Sequence, residues 1–103
     1  MASITWRYEF RTNLAPGQSE GVYWGPSDEL KGATFTITAH PATNRRNTNF
    51  WLTVSEVSIG TRDIGTGDIG NVQTTLWARV QNNGNVGDGT VQGYVAYVTR
   101  NTP

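Results

Sequence analysis

The sequence predicts an all-β chain: a single antiparallel β-sandwich, immunoglobulin-like in general form, with a jelly roll or a small barrel as the alternative architecture. Three observations predict it. Apolar and polar residues alternate with period two in several segments, the mark of strands with one covered face. Turn signals such as Pro16-Gly17 and Gly25-Pro26 separate those segments. No stretch repeats its apolar residues at helical spacing. The chain has 103 residues, close to the commonest domain size, so residues 1–103 are read as one domain with one core.

The first segment, SITWRYEFR, sets Ile4, Trp6, Tyr8 and Phe10 against Thr5, Arg7, Glu9 and Arg11. It reads as a strand with one buried face, and Trp6 is assigned to the core. NLAPGQS is a turn, and EGVYWG a short strand that stops at Gly25-Pro26. SDELKG can form one helical turn capped by Ser27. ATFTITAH alternates again, with Phe35, Ile37 and Ala39 inward. PATNRRNTN is a polar loop. FWLTVSEVSIG changes parity midway: Phe50, Leu52 and Val54 share one side, Val57 and Ile59 the other. One extra residue restores both sets to one face, so a β-bulge is predicted near Ser55-Glu56. NVQTTLWARVQ is a strand with Val72, Leu76, Ala78 and Val80 inward, NNGNVGDG a glycine-rich loop, and TVQGYVAYVTR the last strand.

Composition excludes several functions. Eight basic and eight acidic residues leave no formal net charge. That speaks against nucleic acid as a partner and against a polybasic membrane anchor. No apolar run approaches the ~20 residues of a spanning helix. No charged and apolar leader precedes the first strand, so no signal peptide is read in this chain. Without cysteine there is no disulfide and no thiolate metal site.

LAPGQS, Leu14 to Ser19, resembles the Leu-x-Pro-Gly-x-Ser bend of bacterial immunoglobulin-like adhesion domains of the CARDB type. VQNNGN, Val80 to Asn85, resembles their strand ending in Val-x-Asn-x-Gly. Both motifs are turn chemistry. The resemblance implies a sandwich and an extracellular, secreted or cell-surface setting, with no activity attached.

Catalytic candidates are few. His40 is the lone histidine, no Gly-x-Ser-x-Gly elbow accompanies it, and no thiol nucleophile exists. Paired carboxylates would need a deep cleft, for which so short a chain has little room. The chain is therefore read as not an enzyme. GTRDIGTGDIGN, residues 60–71, raises the question of a ligand. Gly65, Gly67 and Gly70 match a dinucleotide spacing, but a strand pattern follows where a helix is required. Asp63, Asp68, Asn71 and Asp88 offer oxygens to calcium, yet at no known loop spacing. The stretch is read as a connection, without metal and without cofactor.

The stronger signal is aromatic: four Trp, four Tyr and three Phe. If the last two strands form a hairpin with Gln81 opposite Thr90, Val80 meets Val91, Ala78 meets Gly93, and Trp77 meets Tyr94 on the outward face. Trp51 is also outward by parity, and Trp24 sits at a strand end. The loop before Trp51 adds Asn44, Arg45, Arg46 and Asn49. These eight residues are the candidate ligand-binding or interface set. A sugar ring stacking on the aromatics explains them; so does a subunit interface, and so does a covering sheet that makes them core. The leading reading is a lectin-like, carbohydrate-binding recognition module. The alternative is a structural, self-assembling protein that oligomerises through its C-terminal strand. The expected partners are a glycan or a protein surface, with a homo-oligomer in view.

Overall fold

Among the described residues six strands follow the alternation just described: β1 (Ala2–Leu14), β2 (Ser19–Ser27), β3 (Thr34–Pro41), β4 (Leu52–Asp63), β5 (Val72–Asn82) and β6 (Val91–Thr102). The expected stop of β2 at Gly25-Pro26 does not occur: the strand continues to Ser27, with a register shift between Trp24 and Ser27. The structure is a computed structural model that describes residues 2–42, 48–63, 72–84 and 88–102. A single 3-10 turn, Asp28–Leu30, joins β2 to β3. Its cap is Ser27, whose hydroxyl accepts from the Glu29 amide.

The strands form two three-stranded antiparallel sheets, ordered β1–β6–β3 and β2–β5–β4. The chain changes sheet at every connection except β4 to β5. There Asp63 pairs with Val72, so residues 64–71 link neighbouring antiparallel strands. That link, which holds most of the GTRDIGTGDIGN stretch, lies outside the described residues.

The core lies between the two central strands. Leu76, Ala78 and Val80 of β5 face Val91, Tyr94, Ala96 and Val98 of β6, all at most 1% exposed. A central strand is flanked at both edges, so its inward residues are the most completely covered. Leu14, Val22, Trp24, Leu30 and Ile37 complete the buried cluster, and Trp6, Tyr8, Phe10 and Phe35 pack against it half-buried. Ring contacts tie the sheets together. Trp24 of β2 meets Tyr8 at 5.7 Å and Phe10 edge-on at 6.4 Å, both from β1.

The β4 bulge occurs where the parity change demands it. Ser55 pairs with Arg79 and Ser58 with Trp77, leaving one extra residue on β4, and Glu56 takes φ +53°. The bulge brings Ile59 opposite Leu76, on the inward side, although Ile59 remains 49% exposed on this edge strand.

The expected β5–β6 hairpin does not form. β5 pairs with β2 and β4, β6 with β1 and β3, so Trp77 never meets Tyr94 and Gly93 never meets Ala78. Tyr94 is not on an outward face; it is core, with its ring stacked on Phe10 at 5.0 Å. The cause is a second irregularity. Gly93 has φ +91°, and the β1–β6 register shifts between Phe10 and Asn13. Alternation in β6 slips by one there, so Val91 and Tyr94 both point inward. Trp24 is likewise core rather than an exposed strand end, at 7% exposure.

The LAPGQS turn meets Asn82 of VQNNGN. Asn82 is fully buried. Its side-chain amide donates to the carbonyls of Leu14 at 2.9 Å and Gly89 at 3.0 Å, and its Oδ1 accepts from the Gly84 amide at 2.9 Å. Its backbone exchanges bonds with the turn: Gly17 N donates to Asn82 O at 2.8 Å, and Asn82 N to Gln18 O at 2.9 Å.

Candidate functional site

The outer face of the β2–β5–β4 sheet follows from alternation in β5. Thr74, Leu76, Ala78, Val80 and Asn82 are buried, so Gln73, Thr75, Trp77, Arg79 and Gln81 point out. Register supplies their neighbours. Tyr23 and Ser58 flank Trp77, Gly21 and Ser55 flank Arg79, and Ser19 and Thr53 flank Gln81.

Trp77 lies across β2 where that strand has no side chain. A Cβ at Gly21 would stand 2.7 Å from indole Cζ2 and 2.9 Å from Nε1. Tyr23, two residues along, is 64% exposed. Arg79 holds the arrangement. Its guanidinium carbon is 5.3 Å from the Trp77 ring centroid, its Nε donates to Glu56 at 2.5 Å, and its Nη1 donates to Ser19 Oγ at 3.1 Å. Glu56 reaches Arg79 from the β4 bulge, which re-aims that side chain. An exposed ion pair of this kind adds little stability. What it does is hold the cation against the indole and cancel its charge.

The face therefore presents an exposed tyrosine, a fixed tryptophan, and a surround of hydroxyl and amide groups from Ser19, Thr53, Ser55, Ser58 and Gln81. Trp51 belongs to the same face: it precedes β4 with the parity of Thr53, is 62% exposed, and its carbonyl accepts from Asn83 N at 2.8 Å. Trp77 and Asn83 are six positions apart, about 20 Å along the sheet at ~3.3 Å per residue.

Of the eight residues expected to bind, Trp77 and Trp51 share this face. Tyr94 and Trp24 are in the core. Asn49 is exposed, and its carbonyl accepts from Gly89 N at 3.3 Å. Asn44, Arg45 and Arg46 lie outside the described residues. Sequence reading missed Tyr23, Arg79 and Gly21. The signal for Tyr23 was present, since it alternates with the apolar Val22 and Trp24. Nothing local marked Gly21 and Arg79, because their roles depend on β2 pairing with β5. Tyr94 has a different task. Its hydroxyl donates to Glu20, and burial first, then that contact, raises its pKa above the ordinary phenol value.

No family model, curated protein or solved structure matches the chain.

Proposed function

We propose that this chain is a non-catalytic recognition module that binds neutral carbohydrate on the outer face of its β2–β5–β4 sheet. One observation carries the reading: exposed Tyr23 stands beside Trp77, whose indole is held against Gly21 by the sheet and by Arg79. A pyranose offers an apolar C–H face to such rings, and hydroxyl and amide side chains then fix its orientation. The Arg79–Glu56 pair leaves the aromatic centre without net charge, which favours a neutral sugar over a uronate or sulfate. Trp51, about 20 Å along the sheet, gives a second contact to a glycan of several units.

The architecture is read as an immunoglobulin-like sandwich with its terminal strand moved. The order β2–β5–β4 follows that of strands B, E and D, and β3–β6 that of C and F. β1 pairs with β6 where strand G would stand. The LAPGQS and VQNNGN motifs are the sequence basis of that reading.

The second reading, self-association, draws on the same face, because aromatics and arginine are enriched at interface hot spots. Association by strand addition at β6 has no free edge to use, since β1 and β3 occupy both.

A glycan array run beside light scattering separates the two readings. Carbohydrate recognition requires that a neutral glycan bind the wild type and that Tyr23→Ala and Trp77→Ala both lose it as folded monomers. A stable oligomer that the same variants dissociate, with no glycan bound, establishes the second reading instead.

A further inference from the structure

The opposite sheet carries a depression of about 400 Å³ on its outer face, lined by Glu9, Phe10, Arg11, Ala42, Gln92, Gly93, Tyr94 and Val95. Its origin is a missing row of side chains. At this level the central strand β6 contributes Gly93, which has none. Among the described residues, the chain leaving β3 contributes Ala42, whose amide donates to Gly93 O at 3.0 Å. On the third side β1 bulges at Arg11 and Thr12, between the pairs Phe10–Tyr94 and Asn13–Gln92. Gly93 is also unable to fill the space: φ is +91°, and a Cβ would stand 3.0 Å from the Phe10 carbonyl. The backbone at Gly93 and at the β1 bulge thus helps to shape the hollow. Its volume falls within the roughly 300–1,000 Å³ of small-molecule sites.

The charges around it are unequal. Glu9 is engaged by Arg7 at 2.9 Å. Arg11 has no carboxylate or hydrogen-bond partner among the described residues. Among the described residues, the hollow therefore holds the uncompensated guanidinium of Arg11 over an apolar floor of Gly93, Ala42 and Val95. A guanidinium binds a carboxylate through two parallel hydrogen bonds, and the apolar floor suits a hydrocarbon or aromatic body.

We propose that this hollow is a binding site for a small monocarboxylate with an apolar body, held by Arg11. It is independent of the carbohydrate reading, since it lies on the other sheet.

The test is a titration of the full chain with benzoate, followed by amide nitrogen–proton NMR, with uncharged benzamide as control. The expected result is saturable shifts at Ala42, Gln92, Gly93 and Val95. Benzamide should bind about tenfold more weakly or worse, and Arg11→Gln should weaken benzoate to the same degree, as for loss of a charge-assisted contact. Arg11 is exposed, so the variant should keep the wild-type spectrum elsewhere. Shifts that never saturate, equal binding of benzamide, unchanged binding by Arg11→Gln, or shifts confined to the Tyr23–Trp77 face each overturn the proposal.

Discussion

Trp77 of β5 rests on Gly21 of β2, its ring lying where any larger residue's Cβ would be, 2.7 Å from Cζ2. The pair makes a position outside the core sensitive to size. Gly21→Val should keep the strand, because valine suits β structure, but it must push the indole off the sheet and away from Arg79. We expect a folded protein, altered near-UV circular dichroism from Trp77, and loss of glycan binding. The stability change should stay within the ~1–3 kcal/mol typical of overpacking. Unchanged dichroism and unchanged binding together would remove Trp77 from the site.

Tyr94 gives a pH-dependent prediction. Its pKa is raised in the folded state, by burial and by its bond to Glu20. The folded state therefore holds this proton more tightly than the unfolded state. The associated stability is intact below the unfolded value of about 10 and is lost as pH rises above it. Tyr8 is raised in the same sense, by burial and by Glu29. In urea titrations Tyr94→Phe should lose roughly 1.5–3 kcal/mol near neutrality and show a shallower decline above pH ~10, with the Tyr8 share remaining. An identical alkaline slope in the variant would count against the assignment. Tyr94→Asp sets a buried carboxylate next to Glu20, and the chain should not fold.

Asn82 offers a comparison of two similar variants. Asn82→Ala leaves the Leu14 and Gly89 carbonyls and the Gly84 amide without their partner. At ~1–3 kcal/mol per buried unsatisfied group, a loss of about 3 kcal/mol or more is expected. Asn82→Asp keeps the shape but turns the donor into an acceptor facing two carbonyls, so it should be at least as damaging at neutral pH. Thermal melts of both would decide. An Asp variant as stable as wild type would mean that the donor matters little.

The tryptophans should divide by position. Trp24 is 7% exposed and bridges the sheets through Tyr8 and Phe10. Trp24→Ala should cost roughly 3–5 kcal/mol. Trp51 is 62% exposed, and Trp51→Ala should stay within about ±0.5 kcal/mol. Equal losses in denaturant midpoint would refute this division.

Alternation and turn residues determined the all-β class, the six strands, the β4 bulge, and the inward set Leu76, Ala78 and Val80, and residue type marked the Ser27 cap. These are local properties: period two records which side of a strand is apolar, and a parity change in an apolar run records an inserted residue. Which strand lies beside which is not recorded there. Two consecutive alternating strands look the same whether they pair in one sheet or cross to opposite sheets, and β5 and β6 cross. The tertiary structure therefore decided that Trp77 neighbours Tyr23 and Gly21 rather than Tyr94. It also decided the inward side of Tyr94. Gly93 was a visible irregularity in the last strand, but its positive φ arises from pairing against the β1 bulge. Only that pairing carries both Val91 and Tyr94 into the core. Asn82 looked like an ordinary turn residue, and became a buried anchor because the β1–β2 turn closes over it.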